Sequence, residues 1–201
     1  MRYTPEHKQH TREKILAAAA RRFKKDGFEG TSVSAVMGDA ELTHGGFYSH
    51  FESKDDLVAS VIRTGFDDAS VTFEALFDHL EGDAWLTAWV TEYLSTTHTH
   101  LVAEGCPLPA LAGEIARAGS HARHAFTTTF YERLAVVSSR VNAPTDEAER
   151  RVLAAISQMS GAIMLARATE EPLRTRILDA ARTEAIGTLT APSDNDGETT
   201  R

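Results

Sequence analysis

Almost throughout this chain the apolar residues recur three and four positions apart, and no sustained apolar–polar alternation interrupts them. That spacing builds helices with one buried stripe and leaves no signal for strands, so an all-α fold is expected. The first helix carries Ile15, Leu16, Ala19 and Phe23, with Arg21, Arg22, Lys24 and Lys25 in its last turns. Cations suit a helix C-terminus, and Gly27 suits the left-handed residue beyond it. Thr31 or Ser32 then caps a second helix with Val33, Val36, Met37 and Ala40 at i, i+3, i+4 and i+7.

A third, short helix follows. With Thr43 as N-cap, Leu42 and Phe47 take the two positions of a hydrophobic staple, and Phe47 and Phe51 face one core. Ser53-Lys54-Asp55-Asp56 reads as a capping box opening a fourth helix. Its stripe runs from Leu57 to Leu80, about 40 Å if unbroken, with Gly65 the weak point. Later helices are expected around Trp85–Leu94, from Pro107 to Gly119, over Ala122–Val141, over the small residues Ala154–Ala162, and from Pro172 to Leu189.

The charge is unevenly spread. The chain of 201 residues carries −8 in total, which on its own suggests repulsion from phosphates. Residues 1–54, however, hold 9 Lys/Arg against 7 Asp/Glu, or +2, and the remainder carries −10. All five lysines (Lys8, Lys14, Lys24, Lys25 and Lys54) lie in the first part. A basic head on an acidic body is the asymmetry of a nucleic-acid module joined to something else. The one cysteine excludes an internal disulfide. The polar amino terminus lacks an apolar core, and no apolar run is long enough for a membrane helix. A cytoplasmic protein with no membrane partner is therefore expected.

Two short helices joined by a tight turn behind a supporting helix form a helix-turn-helix plan. The turn lies at Asp39-Ala40-Glu41-Leu42, and Thr43–His50 would be the reading helix. The adjacent Gly45 and Gly46 disfavour a helix by roughly 1 kcal/mol each, but bare backbone can approach another surface closely. Around them stand the hydrogen-bonding groups Thr43, His44, Tyr48, Ser49 and His50, with Lys54 a turn further on.

The run Gly30–Val33, then Leu42–Phe51, then Ser53–Leu57, with the supporting helix Thr11–Phe23 and Gly27-Phe28, resembles the DNA-binding domain of TetR/AcrR-type regulators. The resemblance covers a quarter to a third of the chain. It implies a homodimer that represses transcription from a palindromic operator in double-stranded DNA and is released by a small-molecule inducer. By position it assigns phosphate contacts to Thr31, Ser32, Tyr48, His50 and Lys54. It assigns a base contact to Ser34 and a place in the major groove to Thr43, His44, Gly45 and Gly46. Glu41 departs from the glycine usual in this turn. It brings strain or a slightly different turn, and a negative charge near DNA, and it is the feature favouring an alternative, a helical ligand-binding or interaction protein without DNA binding.

The expected division is a flexible 1–8, a DNA-binding domain over 9–66, a ligand-binding and dimerisation domain over 67–190, and a disordered tail over 191–201. The last two helices resemble the pair that dimerises the family, which would set two reading helices about 34–36 Å apart. Trp85, Trp89, Tyr93, Phe126, Phe130 and Tyr131 are candidate walls of a mostly apolar inducer pocket. Cys106, just before Pro107, sits where a helix N-terminus favours thiolate, and its surroundings resemble those of electrophile-sensing members. No lysine follows Lys54 to serve such a thiol from the second part of the chain. His121 and His124 are three apart but no Cys or carboxylate cluster completes a metal set, and no nucleotide loop or nucleophile elbow is present. No metal, cofactor or enzymatic activity is expected.

Overall fold

The computed structural model describes residues 4–102 and 105–193. Its helices are α1 (Pro5–Gly30), α2 (Val33–Asp39), a 3₁₀ helix (His44–Ser49), α3 (Lys54–Leu76), α4 (Gly82–Tyr93), α5 (Thr96–His100), α6 (Pro107–Arg117), α7 (Ser120–Ser138), α8 (Thr145–Arg167) and α9 (Leu173–Thr190). The fold is all-α, with no strand among the described residues. None of these helices is long and apolar enough to cross a membrane.

The start of α1 follows its sequence closely. Thr4 caps it by accepting from the His7 amide at 3.3 Å, with proline in the first turn. Residues 5–8 are thus helical, while 1–3 lie outside the described residues. The backbone leaves helical geometry at Gly27 (φ 76°), where glycine avoids the Cβ penalty, before a last turn to Gly30.

The chain forms two compact units, residues 1–69 with 102–129, and residues 70–101 with 130–201. In the first, Ile15, Phe23, Phe47, Phe51, Leu57 and Ile62 are fully buried. Segment 102–129 joins this unit by α6 packing on α1. Glu114 of α6 accepts the Phe28 amide at 3.0 Å, and Lys24 donates to the Gly105 carbonyl at 2.8 Å. Gly65, the expected weak point of α3, has a packing reason: a Cβ there would meet Pro107 at 3.4 Å. The α3 helix ends at Leu76, short of Leu80, so it is about 34 Å long.

In the second unit α8 packs along α9 through Val152, Ala155, Met159, Ile163 and Ala166 against Leu178, Ala181, Ala185 and Leu189, all buried. Arg182 of α9 donates to the Leu94 carbonyl at 2.9 Å, closing the C-terminal end of α4. The short α5 was not anticipated. Ser95 caps it by accepting from the His98 amide at 3.0 Å, and the buried His98 ring nitrogen bonds the Tyr93 carbonyl at 2.6 Å. Residues 194–201 of the expected tail lie outside the described residues.

Candidate nucleic-acid interface

The turn between α2 and the 3₁₀ helix is built from two hydrogen bonds. The Leu42 amide donates to the Met37 carbonyl at 2.8 Å, and the Glu41 amide donates to Gly38 at 3.0 Å. This is a Schellman cap, and its left-handed position falls on Glu41 (φ 60°), the only non-glycine residue with positive φ among those described. The strain expected from a glutamate at this point is therefore present in the backbone.

The short helix expected here is a 3₁₀ helix over His44–Ser49, with Thr43 and His50 as its caps. Its Gly46 amide donates to Thr43 and its His50 amide to Phe47, both three residues back. Two glycines in six residues do not sustain α-helical propagation, and the tighter helix suits so short a piece. Phe47, wholly buried, stacks on Phe51 at 5.6 Å between ring centroids. That anchor leaves the opposite side outward. Thr43, His44, Gly45, Tyr48 and Ser49 are all exposed, Tyr48 at 65 %. Thr43 occupies the N-cap position yet makes no side-chain capping bond, so its hydroxyl is not spent on the helix. The His44 and Tyr48 rings meet edge-on at 6.1 Å.

Beside this row lies the N-terminus of α2. Ser32 is the cap, accepting from the Ala35 amide at 3.1 Å, and Ser32 and Ser34 are both exposed. Thr31 is different. It is 1 % exposed and its hydroxyl donates to the Gly27 carbonyl at 2.8 Å. Its side chain ties the α1–α2 corner together and is turned away from any ligand. Ser53 opens α3 by accepting from the Asp56 amide at 3.1 Å, and the Asp56 carboxylate accepts the Glu52 amide at 3.1 Å. The capping box thus forms with its return bond one residue early, and it sets Lys54, half-buried, at the first turn.

His50 is half-buried, and its Nδ1 has no hydrogen-bond partner. Burial holds its pKa below the ordinary histidine value, helped by the positive charges of Lys8, Arg12 and His7. Several cations of the head are committed to structure. Arg22 forms a two-pronged pair with Asp39, the last residue of α2, at 2.6 and 2.9 Å. Arg12 donates to the His50 carbonyl and to Ser60. Sequence patterning singled out neither Arg12 nor Asp39 for a role in this site.

The six residues proposed as pocket walls do not fall together in one unit. Phe126 meets Phe66 at 5.7 Å in the first unit. Trp85, Trp89 and Tyr93 form a buried ladder on α4 in the second, with Arg140 4.2 Å over the Trp85 ring. Phe130 is half-buried in that unit, and Tyr131 is 63 % exposed. Cys106 is the N-cap residue of α6, without a side-chain capping bond. Lys24 of α1 donates to the carbonyl of the preceding residue, Gly105. No group of three metal-ligating side chains gathers among the described residues.

A buried two-helix scaffold presenting one exposed polar row after a left-handed turn is a helix-turn-helix DNA-binding domain. Comparison with known proteins agrees. Residues 15–61 match the amino-terminal domain of bacterial regulatory proteins of the tetR family. The uncharacterised HTH-type transcriptional regulator YfiR of Bacillus subtilis is 30 % identical over 89 residues, 44 % of this chain and 43 % of that protein. The HTH-type transcriptional regulator UidR of Escherichia coli K12 is 29 % identical over 113 residues, 52 % of this chain and 56 % of that protein. The chain therefore spans about half the length of the curated relatives it matches. Among solved structures, a TetR transcriptional regulator from Chloroflexus aurantiacus aligns with a TM-score of 0.74 at 25 % identity, covering 90 % of this chain and 94 % of the other. Escherichia coli NemR aligns at 0.77 and 18 % identity, covering 91 % and 98 %, which shows the shared fold. Residues 15–61 thus carry a tetR-family DNA-binding domain, and the chain as a whole is similar to TetR-family transcriptional regulators.

Proposed function

We propose that the protein is a ligand-responsive repressor that binds a palindromic operator as a homodimer and is released by a small-molecule inducer, acting in the cytoplasm. The observation that carries this reading is the outward row Thr43, His44, Gly45, Tyr48 and Ser49, anchored from behind by buried Phe47. Hydroxyl, imidazole and phenol groups there suit base edges and phosphates, and Gly45 lets backbone approach a groove. Ser32, Ser34, His50 and Lys54 extend the contact to both sides, while Thr31 supports it from within.

Dimerisation is supported by the face of α8 turned away from α9. Leu153, Ser157, Gly161, Met164 and Leu165 recur there at three- and four-residue spacing. Leu153 is 37 % exposed, Met164 52 % and Leu165 59 %. Small residues among exposed apolar ones suit close helix packing against a second copy. The test is a mobility shift on the DNA upstream of the protein's own gene, with mass measured in solution. A dimer that retards this DNA and not an unrelated duplex supports the reading. A dimer that retards nothing at low salt favours the alternative, a helical ligand-binding or interaction protein.

A redox or electrophile response through Cys106 is a second reading, favoured by Lys24 lying at the adjacent carbonyl. Cys106→Ser should then hold DNA in the presence of an electrophile that releases the unsubstituted protein. Equal release of both proteins refutes it.

A further inference from the structure

We infer that Arg12 is a positioning residue for DNA reading, an internal brace that fixes the angle of the Thr43–His50 segment and makes no phosphate contact itself. The inference rests on the DNA-binding reading above. The reading segment is weakly self-supporting, being a six-residue 3₁₀ helix with two adjacent glycines. Phe47 and Phe51 seat it in the core and fix its depth. Stacked rings restrain rotation poorly, and the outward row moves with any rotation.

One guanidinium supplies the missing restraint. Arg12 Nη1 donates to the His50 carbonyl at 2.5 Å, at the residue that ends the 3₁₀ helix. Its Nη2 donates to Ser60 Oγ at 3.0 Å, a hydroxyl only 4 % exposed on α3. Its Cζ lies over the Phe51 ring, 4.1 Å from the centroid. The supporting helix, the end of the reading helix and α3 therefore meet on one side chain. A planar fork can serve two acceptors in different directions while its face rests on an aromatic ring. An ammonium has the charge but not the fork. The His50 carbonyl is one of the acceptors a helix end leaves unmatched, so the bond also fills a local need.

The role separates from the two ordinary roles of a basic residue in such a head. A phosphate contact contributes to binding of any sequence and to the salt dependence, with a slope of about 0.9 per contact. A purely structural residue alters melting but not the ratio of specific to non-specific affinity. A brace for the reading row alters that ratio alone.

The experiment uses the full chain with Arg12→Lys and, separately, Ser60→Ala, which keeps the charge and removes one arm of the brace. Affinities for the operator and for an unrelated duplex of equal length are measured across salt, with thermal melting alongside. The expected result for Arg12→Lys is an operator affinity lowered by about tenfold or more, with non-specific affinity and salt slope unchanged. Ser60→Ala is expected to show a smaller loss of the same kind. Equal losses on both duplexes with a shallower slope would make Arg12 a phosphate contact and overturn the inference. If Arg12→Lys fails to fold, an unchanged affinity ratio in Ser60→Ala overturns it and a lowered one supports it. An unsubstituted protein that binds neither duplex refutes the DNA-binding reading and the brace with it.

Discussion

Replacing Gly45 by alanine should make the protein more stable and a poorer DNA binder at once. A Cβ at Gly45 would have no heavy atom of the protein within 4 Å, and its backbone is not in the positive-φ region that disfavours side chains. Nothing inside the molecule therefore requires glycine there. Alanine in a helical interior is favoured over glycine by roughly 0.5–1 kcal/mol through reduced chain entropy. For a chain of this size that corresponds to a rise of about 1–4 °C in melting temperature. The methyl group would project from the exposed face that carries Thr43, His44 and Tyr48. If bases lie against that face, the backbone is held away from the groove. Weakened base contacts, at about 1–3 kcal/mol each, should lower operator affinity by tenfold or more per protomer. Binding to unrelated DNA should barely change, because phosphate contacts remain. Thermal melting and fluorescence anisotropy on operator and unrelated duplexes measure both effects. An alanine variant that melts higher and still binds the operator as tightly as the parent would refute the reasoning.

Other consequences follow from the same geometry. Glu41→Gly relieves the left-handed strain at φ 60°, and after the entropic cost of glycine a net gain of up to about 1 kcal/mol is expected; it should also tighten binding to all duplexes, an advantage that fades as salt rises. Lys54→Ala should weaken operator and unrelated DNA alike and lower the salt slope by about 1 per protomer, measured by titration at several salt concentrations. Because burial first, then Lys8, Arg12 and His7, depress the pKa of His50, the unfolded chain takes up this proton before the folded one. The contribution is fully present above the ordinary histidine value of about 6.5 and declines as pH falls below it. Urea unfolding at pH 7.5 and 5.5 should show that decline, and His50→Gln should lessen it.

What the sequence reveals here is local. The caps at Ser32 and Ser53, the left-handed residues Gly27 and Glu41, and the buried pair Phe47 and Phe51 all follow from residues within a few positions of one another. The 3₁₀ character of the reading helix was less legible, because hydrophobic spacing over six residues does not distinguish three residues per turn from 3.6. Ser32 and Thr31 are chemically similar neighbours, and only the chain's turn at Gly27 decides which hydroxyl faces inward. The braces were not legible. Arg12 and His50 are 38 residues apart, Lys24 and Gly105 are 81, and Phe28 and Glu114 are 86. Side-chain to carbonyl bonds of that kind leave no periodic trace. The grouping of the aromatic residues was illegible for a related reason: helical spacing marks an aromatic side chain as inward-facing but does not say which compact unit it enters.

The central claim is that two copies of the Thr43–His50 segment read one two-fold-symmetric site. Footprinting of the full chain on DNA upstream of its gene, with the mass of the complex measured, tests it most directly. The account predicts protection of two inverted half-sites centred one helical turn, about 34–36 Å, or a multiple of it apart, with protomers bound in pairs. Protection of a single unsymmetrical site by one protomer, or no protection at low salt, would contradict it.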